Sequence, residues 1–444
     1  MADDKIEETV CEDKISALPE DLLVRILLHV PMKDAIATMF LSKRWRFIWT
    51  ILPKLEYDFF SDDDEDDDDK VVDDNDDKAR RLAGSMKLHK APVLKTLLIK
   101  LGPGCSSDID VGKWIAKAVD RRVVVLRFKL SWSTGPTRLP KSLYTCETLK
   151  ELTLSHKVLL DFPSSSCLPS LMFLNLFYVV YRDDASLEIL ICLNVKRNRR
   201  NRDDNITKFS VKIPSLQGLL YVSDDIISSL PDDDEVVDTG KCLAIDTLGL
   251  LYFSITDHSG DSCSIENMPC LEDASIDVKS FSDMDKSKTY LSAVRSLVLH
   301  TTDQVVALYL FICLLPFSTV KFSRLIKSDW LEALLLLLKN APKLKDLLVD
   351  YAFNTDVIPS SWNQPSSIAG CLSSHLEFFE YRVYGGTEEE KEFVMYILAN
   401  SKCLKKVRIS VSPYLENQNL SIEELRDIPR ASTFVEMIIV FDDA

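Results

Sequence analysis

From Leu94 to Ile409 one apolar spacing recurs: an apolar residue, two others, an apolar residue, one other, an apolar residue. It reads Leu94, Leu97, Ile99; Val123, Leu126, Phe128; Leu149, Leu152, Leu154; and Leu171, Leu174, Leu176. It resumes as Leu216, Leu219, Tyr221; Leu250, Phe253, Ile255; Leu271, Ala274, Ile276; and Val294, Leu297, Leu299. Leu344, Leu347, Val349; Leu376, Phe379, Tyr381; and Leu404, Val407, Ile409 complete the clear set, with weaker copies at Leu190, Leu193, Val195 and Phe317, Val320, Phe322. Successive strand side chains point to opposite faces, so each copy predicts a short strand with one face buried. Proline stands two residues ahead of the first apolar position at Pro92, Pro169, Pro214, Pro269 and Pro342, a placement that suits a strand entry. Trp330 to Lys339 predicts a helix between two such strands. Copies spaced roughly 20 to 35 residues apart predict an α/β solenoid of parallel strands, in which each repeat covers its neighbour's core. Such an array extends one core indefinitely, so a length of 444 residues does not by itself set a domain count.

The residues between the core positions then belong to the opposite, concave face. They include Thr96, Leu98 and Lys100; Glu151, Thr153 and Ser155; Tyr252, Ser254 and Thr256; Asp273, Ser275 and Asp277; and Asp346, Leu348 and Asp350. Phe173, Asn175 and Phe177 on one strand, with Leu220 and Val222 beside Gly218 on another, are the candidate substrate-binding residues, because exposed apolar patches mark binding sites. An inserted loop or the C-terminal region covering the same patch is the equal alternative.

Ahead of the repeats, Ile15 to Leu52 is helical in pattern. Pro19 suits a first turn, Glu20 and Asp21 put negative charge at its positive end, and Leu22, Leu23, Ile26, Leu27 and Val30 make an apolar stripe. Pro31 ends that helix. A second is predicted from Lys33 to Leu41 through Ile36, Met39 and Phe40, and a third from Lys43 to Ile51 through Trp45, Ile48 and Trp49. Three helices this short cannot bury all that apolar surface among themselves. Then Asp62 to Asp77 sets twelve acidic residues against Lys70, a local net of −11 within a chain net of −16. A run of like charge repels itself, and it reads as a disordered linker.

The stretch Ile-Ser-Ala-Leu-Pro-Glu-Asp-Leu-Leu-Val-Arg-Ile-Leu from Ile15, then Val-Pro-Met-Lys-Asp-Ala from Val30 and Leu-Ser-Lys-Arg-Trp-Arg from Leu41, resembles the F-box motif. The middle of the chain resembles the irregular leucine-rich repeats of plant F-box proteins. Trp362-Asn-Gln-Pro, His375 to Tyr381, Glu388-Glu-Glu-Lys-Glu, Tyr396-Ile-Leu-Ala-Asn and Pro429-Arg-Ala-Ser-Thr resemble the FBD domain that closes such proteins. The resemblance implies an F-box over 12–60, an acidic linker over 61–78, repeats over 79–360 and an FBD domain over 361–444. It implies a substrate-recognition subunit of an SCF-type ubiquitin ligase. Leu18, Pro19, Leu22, Ile26, Pro31, Leu41, Ser42 and Trp45 match the motif positions that form or support the grip on a Skp adaptor, which bridges to a cullin. A repeat scaffold that does not direct ubiquitylation is the alternative. Leu187 to Val195 is shorter than the family's usual helix, loop and strand, which implies a truncated repeat.

Other chemistries find little purchase. Eleven cysteines fall singly, with no C-x-x-C pair, as expected of reduced thiols in the cytoplasm or nucleus. The charged start is unlike a signal peptide, and the longest apolar run, Val305 to Leu315, is far short of the ~20 residues of a membrane span. No H-E-x-x-H, Walker, G-x-S-x-G or G-x-G-x-x-G signature is present, and the six histidines lack metal-ligand spacing. We therefore expect no cofactor, no metal and no enzymatic activity. Asp257-His-Ser-Gly-Asp-Ser-Cys brings histidine near serine and cysteine without an orienting acid and is expected to be a polar turn. Lys196 to Arg202 is the one basic cluster, a nuclear import signal or acidic-partner contact on one reading and a solvated loop on the other. A single such cluster supplies little counterion-release affinity, so nucleic acid is not an expected partner.

Overall fold

The computed structural model describes residues 15, 17–58, 84–102, 110–131, 136–161, 168–181, 190–197, 208–223, 242–257, 262–266, 268–278, 294–301, 318–324, 334–335, 337–339, 341–351, 367–412, 418–433 and 435–441. The chain packs as two compact units, Met1–Val180 and Tyr181–Ala444.

The first unit begins with helices α1 (Glu20–Leu27) and α2 (Met32–Ala37), followed by 3-10 turns at Thr38–Phe40 and Trp45–Ile51. Pro19 and Pro31 are the residues just before the two helices, with extended ψ of 149° and 147°. The Pro19 carbonyl accepts from the amides of Leu22 and Leu23, and the Pro31 carbonyl from those of Asp34 and Ala35. Each proline thus starts a helix. The second predicted helix is shorter than expected, and the third is 3-10 throughout. Three residues per 3-10 turn stack Trp45 on Ile48, and both are buried with Trp49, which is what the spacing of that segment provides.

Strands β1 (Lys54–Asp58), β2 (Thr96–Leu101), β3 (Val125–Leu130), β5 (Glu151–His156) and β7 (Phe173–Phe177) pair in that order, all parallel. Helix α3 (Val111–Asp120) links β2 to β3, its first turn capped by the Asp110 carboxylate, which accepts from the Lys113 amide. Short strands β4 (Thr137–Arg138) and β6 (Val158–Leu160) pair beside this sheet, and β8 (Val180–Tyr181) falls on the boundary between the units. The chain leaves β5 through His156 at φ 67°, a corner that places its ring 5.6 Å from that of Tyr178.

In the second unit β9 (Cys192–Arg197), β11 (Gly218–Ser223), β13 (Tyr252–Asp257), β15 (Asp273–Val278), β16 (Ser296–Thr301), β17 (Thr319–Arg324), β18 (Asp346–Tyr351), β19 (Phe378–Tyr384), β20 (Lys406–Val411) and β21 (Glu436–Phe441) pair in that order, all parallel. Strands β10 (Lys208–Val211), β12 (Cys242–Asp246) and β14 (Ser262–Glu266) form a second parallel sheet. Helices α4 (Gly370–Ser374), α5 (Glu388–Asn400) and α6 (Gln418–Asp427) lie between the last strands.

Register puts the middle positions of the sequence pattern in one row: Leu193, Leu219, Phe253, Ala274, Leu297, Val320, Leu347, Phe379 and Val407 are mutual neighbours, and all are buried. A slip of one residue would turn this row to solvent, so each strand's register is fixed by the same burial that forms the core. The weak copies at 190–195 and 317–322 are strands of the same array, and β9 pairs with β11 over its full length despite the shortened segment before it. Residues 334–339 are helical where described, with Leu334, Leu337 and Leu338 buried. The recurring spacing does not reach β4 and β6 of the first unit or β10, β12 and β14 of the second, so the sequence pattern leaves these strands out. Buried Phe209 and Val211 alternate with polar neighbours, a period-two signal that could have found β10.

One predicted placement is corrected. Arg197 belongs to β9 and is 3% exposed, not part of a solvated loop. Its guanidinium lies 5.4 Å from the Tyr181 ring and 5.5 Å from the Phe209 ring, and it donates to the Tyr221 hydroxyl at 3.5 Å, so aromatic faces replace the water it gives up. Residues 198–202 of that cluster, the acidic run 62–77, residues 258–261 and Val305 to Leu315 lie outside the described residues.

Candidate functional site

On α1, Leu23 and Leu27 pack inward while Leu22 (37% exposed) and Ile26 (42%), one turn apart, face out. Pro19 and Pro31 are exposed beside them, and Leu18 is half-buried. The 3-10 turn after α2 then presents Phe40 (84%) and Leu41 (68%) to solvent, with Ser42 half-buried behind. Apolar side chains this open on an ordered helical surface are the physical mark of a docking face. Trp45, expected to form or support the grip, is 4% exposed and lies in the core beneath this surface, together with Ile48, Trp49 and Leu52. Phe40, expected on a core stripe, is the most exposed of these side chains, and Phe47 and Ile15 are also exposed. A 3.6-residue period could not find Phe40 and Phe47, because the chain has left the α-helix by Thr38, and Ile15 lies ahead of α1.

The helical segment is joined to the repeats by β1, whose Leu55 and Tyr57 are buried against β2. His89 pins the same junction from behind. It is buried, with Nε2–H donating to the Leu52 carbonyl at 2.8 Å and Nδ1 accepting from Arg121 Nη1 at 2.8 Å. Arg121 also donates to the His89 carbonyl at 3.0 Å, and Lys117 donates to the Met86 carbonyl. Burial, then the neighbouring Arg121 and Lys117 charges, pull the His89 pKa down to about 4 against the Leu52 carbonyl that favours the cation. The ring is therefore neutral at physiological pH.

The open face of each sheet carries the residues expected there, as the alternating burial of β7, β11 and β13 requires. Phe173 is 42% exposed, while Asn175 and Phe177 are half-buried and the Asn175 amide donates to Thr153 Oγ1 at 3.0 Å. Leu220 and Val222 are half-buried on β11. The first three lie in the unit ending at Val180 and the last two in the unit beginning at Tyr181, so the expected patch is divided between two bodies. Ser155 and Asp277, expected on the open face, are buried. For Ser155 the cause is the corner at His156, whose Nδ1 lies 2.6 Å from the serine hydroxyl. Charged neighbours on the open faces pair across strands, Arg127 with Glu151 at 2.7 Å and Lys321 with Asp350 at 3.0 Å.

Near the C-terminus Thr387 and Glu390 form a capping box on α5. The buried Glu390 carboxylate accepts from the Thr387 amide at 3.0 Å, the Gly385 amide at 3.1 Å and the Tyr381 hydroxyl at 2.9 Å, while burial raises its pKa above the usual carboxylate range. This ties α5 to β19, where a bulge between Tyr381 and Tyr384 puts Val383 at φ 56°. Among the described residues no group of histidine, cysteine and carboxylate side chains has metal-binding geometry, and no helix is long and apolar enough to cross a membrane.

These features define a class: a helical head with exposed apolar side chains, joined to parallel-strand repeats and followed by a capped α/β segment. A family model described as F-box domain matches residues 15–57, and one described as FBD matches residues 364–409. The chain is 46% identical over 456 residues to an FBD-associated F-box protein of Arabidopsis thaliana, covering 98% of each. It is 42% identical over 452 residues to an F-box/FBD/LRR-repeat protein of the same plant, covering 96% of this chain and 91% of the other. With a further F-box/FBD/LRR-repeat protein of that plant it shares 34% identity over 441 residues, covering 96% and 99%. The chain belongs to the F-box/FBD/LRR-repeat protein family.

Proposed function

We propose that this protein is the substrate-recognition subunit of an SCF-type E3 ubiquitin ligase. Its F-box docks a Skp adaptor and through it a cullin, and its repeat sheets capture a protein substrate without chemistry of their own. The observation that carries this reading is the exposed apolar set Leu22, Ile26, Phe40 and Leu41 within a matched F-box segment. Leaving those side chains in water is unfavourable by roughly 25 cal/mol per Å² of apolar surface, and an adaptor groove is the partner the F-box family supplies. The pairing of β1 with β2 supports the reading too, because a ligase subunit must hold its substrate at a fixed place relative to the adaptor. The free cysteines of the described residues accord with a reducing compartment, cytoplasm or nucleus.

Co-purification with a Skp adaptor tests the proposal. Ile26→Ala with Leu41→Ala removes exposed anchors and is expected to lower adaptor capture by roughly thirtyfold or more with an unchanged melting temperature, since hot-spot truncations cost about 2 kcal/mol or more. A folded wild-type chain that retains no adaptor would leave the scaffold reading in its place.

A further inference from the structure

The open face of the second unit's sheet has a feature that apolar patterning does not reveal. Tyr252, the first residue of β13, is 54% exposed and lies in register between Gly218 of β11 and Asp273 of β15. Gly218 has no side chain to cover the ring's flank, and a Cβ built there would meet Cys192 Sγ at 3.3 Å. The group that comes close to Gly218 is the Cys192 sulfur of β9, and, its chain neighbours aside, no other atom among the described residues lies within 4 Å of where its Cβ would stand, so the side toward Tyr252 is left uncovered. The result is a tyrosine ring on a strand paired on both sides, uncovered toward Gly218 and bordered by the half-buried Asp273 on the other.

The charge around this ring selects its occupant. From β11 to β18 the open-face positions of the described residues carry Asp273, Asp346 and Asp350, against the cation Lys321; Asp350 is engaged by Lys321 at 3.0 Å and by Arg382 of β19 at 3.6 Å, which leaves Asp273 the carboxylate next to the ring. An acidic segment laid on this face would meet like charge, whereas a basic one would not. The face of a tyrosine ring attracts a lysine or arginine within about 6 Å, and tyrosine and arginine are the residues on which interfaces concentrate their affinity. We infer that Tyr252, Gly218 and Asp273 form the anchor point for a lysine or arginine in a basic segment of the captured protein, which under the reading above is the substrate. The cation lies over the Tyr252 ring, in the gap left by Gly218, with the Asp273 carboxylate beside it.

The test is a fluorescence-anisotropy titration of the full-length chain with a labelled peptide of alternating arginine and serine, and with its glutamate counterpart, at physiological ionic strength. The arginine peptide is expected to bind saturably and the glutamate peptide not. Tyr252→Ala and Asp273→Asn should each weaken binding about fivefold or more, while Tyr252→Phe, which keeps the ring, and Glu272→Gln, which makes the same charge change next door off the face, leave it unaltered. Equal binding by Tyr252→Ala and wild type would place the peptide elsewhere, on the acidic run for instance, and overturn the assignment. So would preference for the glutamate peptide, absence of saturable binding, or self-association of the chain that Tyr252→Ala abolishes, which would give the face to a second copy. Adaptor capture is read separately, so failure of the ligase reading leaves this measurement standing.

Discussion

His89 couples a local proton equilibrium to the stability of the junction behind the F-box. Its folded pKa of about 4 lies below the ordinary histidine value of 6.5, so the unfolded chain binds the proton more readily. The neutral ring's stabilisation is therefore complete above about pH 6.5 and is lost as pH falls from there toward 4, because protonation puts a hydrogen where Nδ1 accepts from Arg121. Wild-type protein should lose about 1 to 3 kcal/mol across that window beyond the loss in His89→Gln, which cannot titrate. Parallel melts at pH 7 and pH 4.5 that fall equally for both proteins would show that His89 does not carry this acid sensitivity.

At the scale of the strand, β7 separates two roles on adjacent residues. Leu174 and Leu176 are buried and Phe173 is exposed, so the alternation read from the sequence holds in the fold. Leu174→Ala should destabilise by about 2 to 5 kcal/mol through the cavity it leaves. Phe173→Ser with Phe177→Ser should lower stability far less, with the cost arising mainly from the half-buried Phe177. Urea denaturation compares them directly; a larger loss from the phenylalanine pair would mean that the open face is the packed one.

For the whole molecule the consequential contact is β1 on β2. The helical segment runs into β1, which ends at Asp58 and pairs in parallel with β2, beginning at Thr96, so the helices are joined to the repeats by strand pairing. The F-box and first repeats should accordingly lose structure together. Leu55→Ala, which empties a fully buried site on β1, should accelerate amide exchange both in α1 and in β2 and β3, and should lower adaptor capture although it lies on no docking face. Faster exchange confined to α1 and α2 would show instead that the head unfolds independently of the repeats.

The sequence by itself determined the strands of the recurring pattern and most of their faces, because a solenoid repeats one local rule: apolar side chains at alternate positions are buried wherever the strand pairs. It also determined α1, since two prolines and a stripe of leucines and isoleucines leave that segment few alternatives. Only the tertiary structure decided that Trp45 supports the docking face while Phe40 presents itself, because helix type changes at Thr38 and with it the direction of every later side chain. It alone placed Arg197 among aromatic rings, opposite to what a run of basic residues implies, since the Tyr181, Phe209 and Tyr221 rings that receive it lie in other strands. It alone put Gly218 beside Tyr252, thirty-four residues apart along the chain, because parallel pairing and not sequence distance sets which side chains share a face.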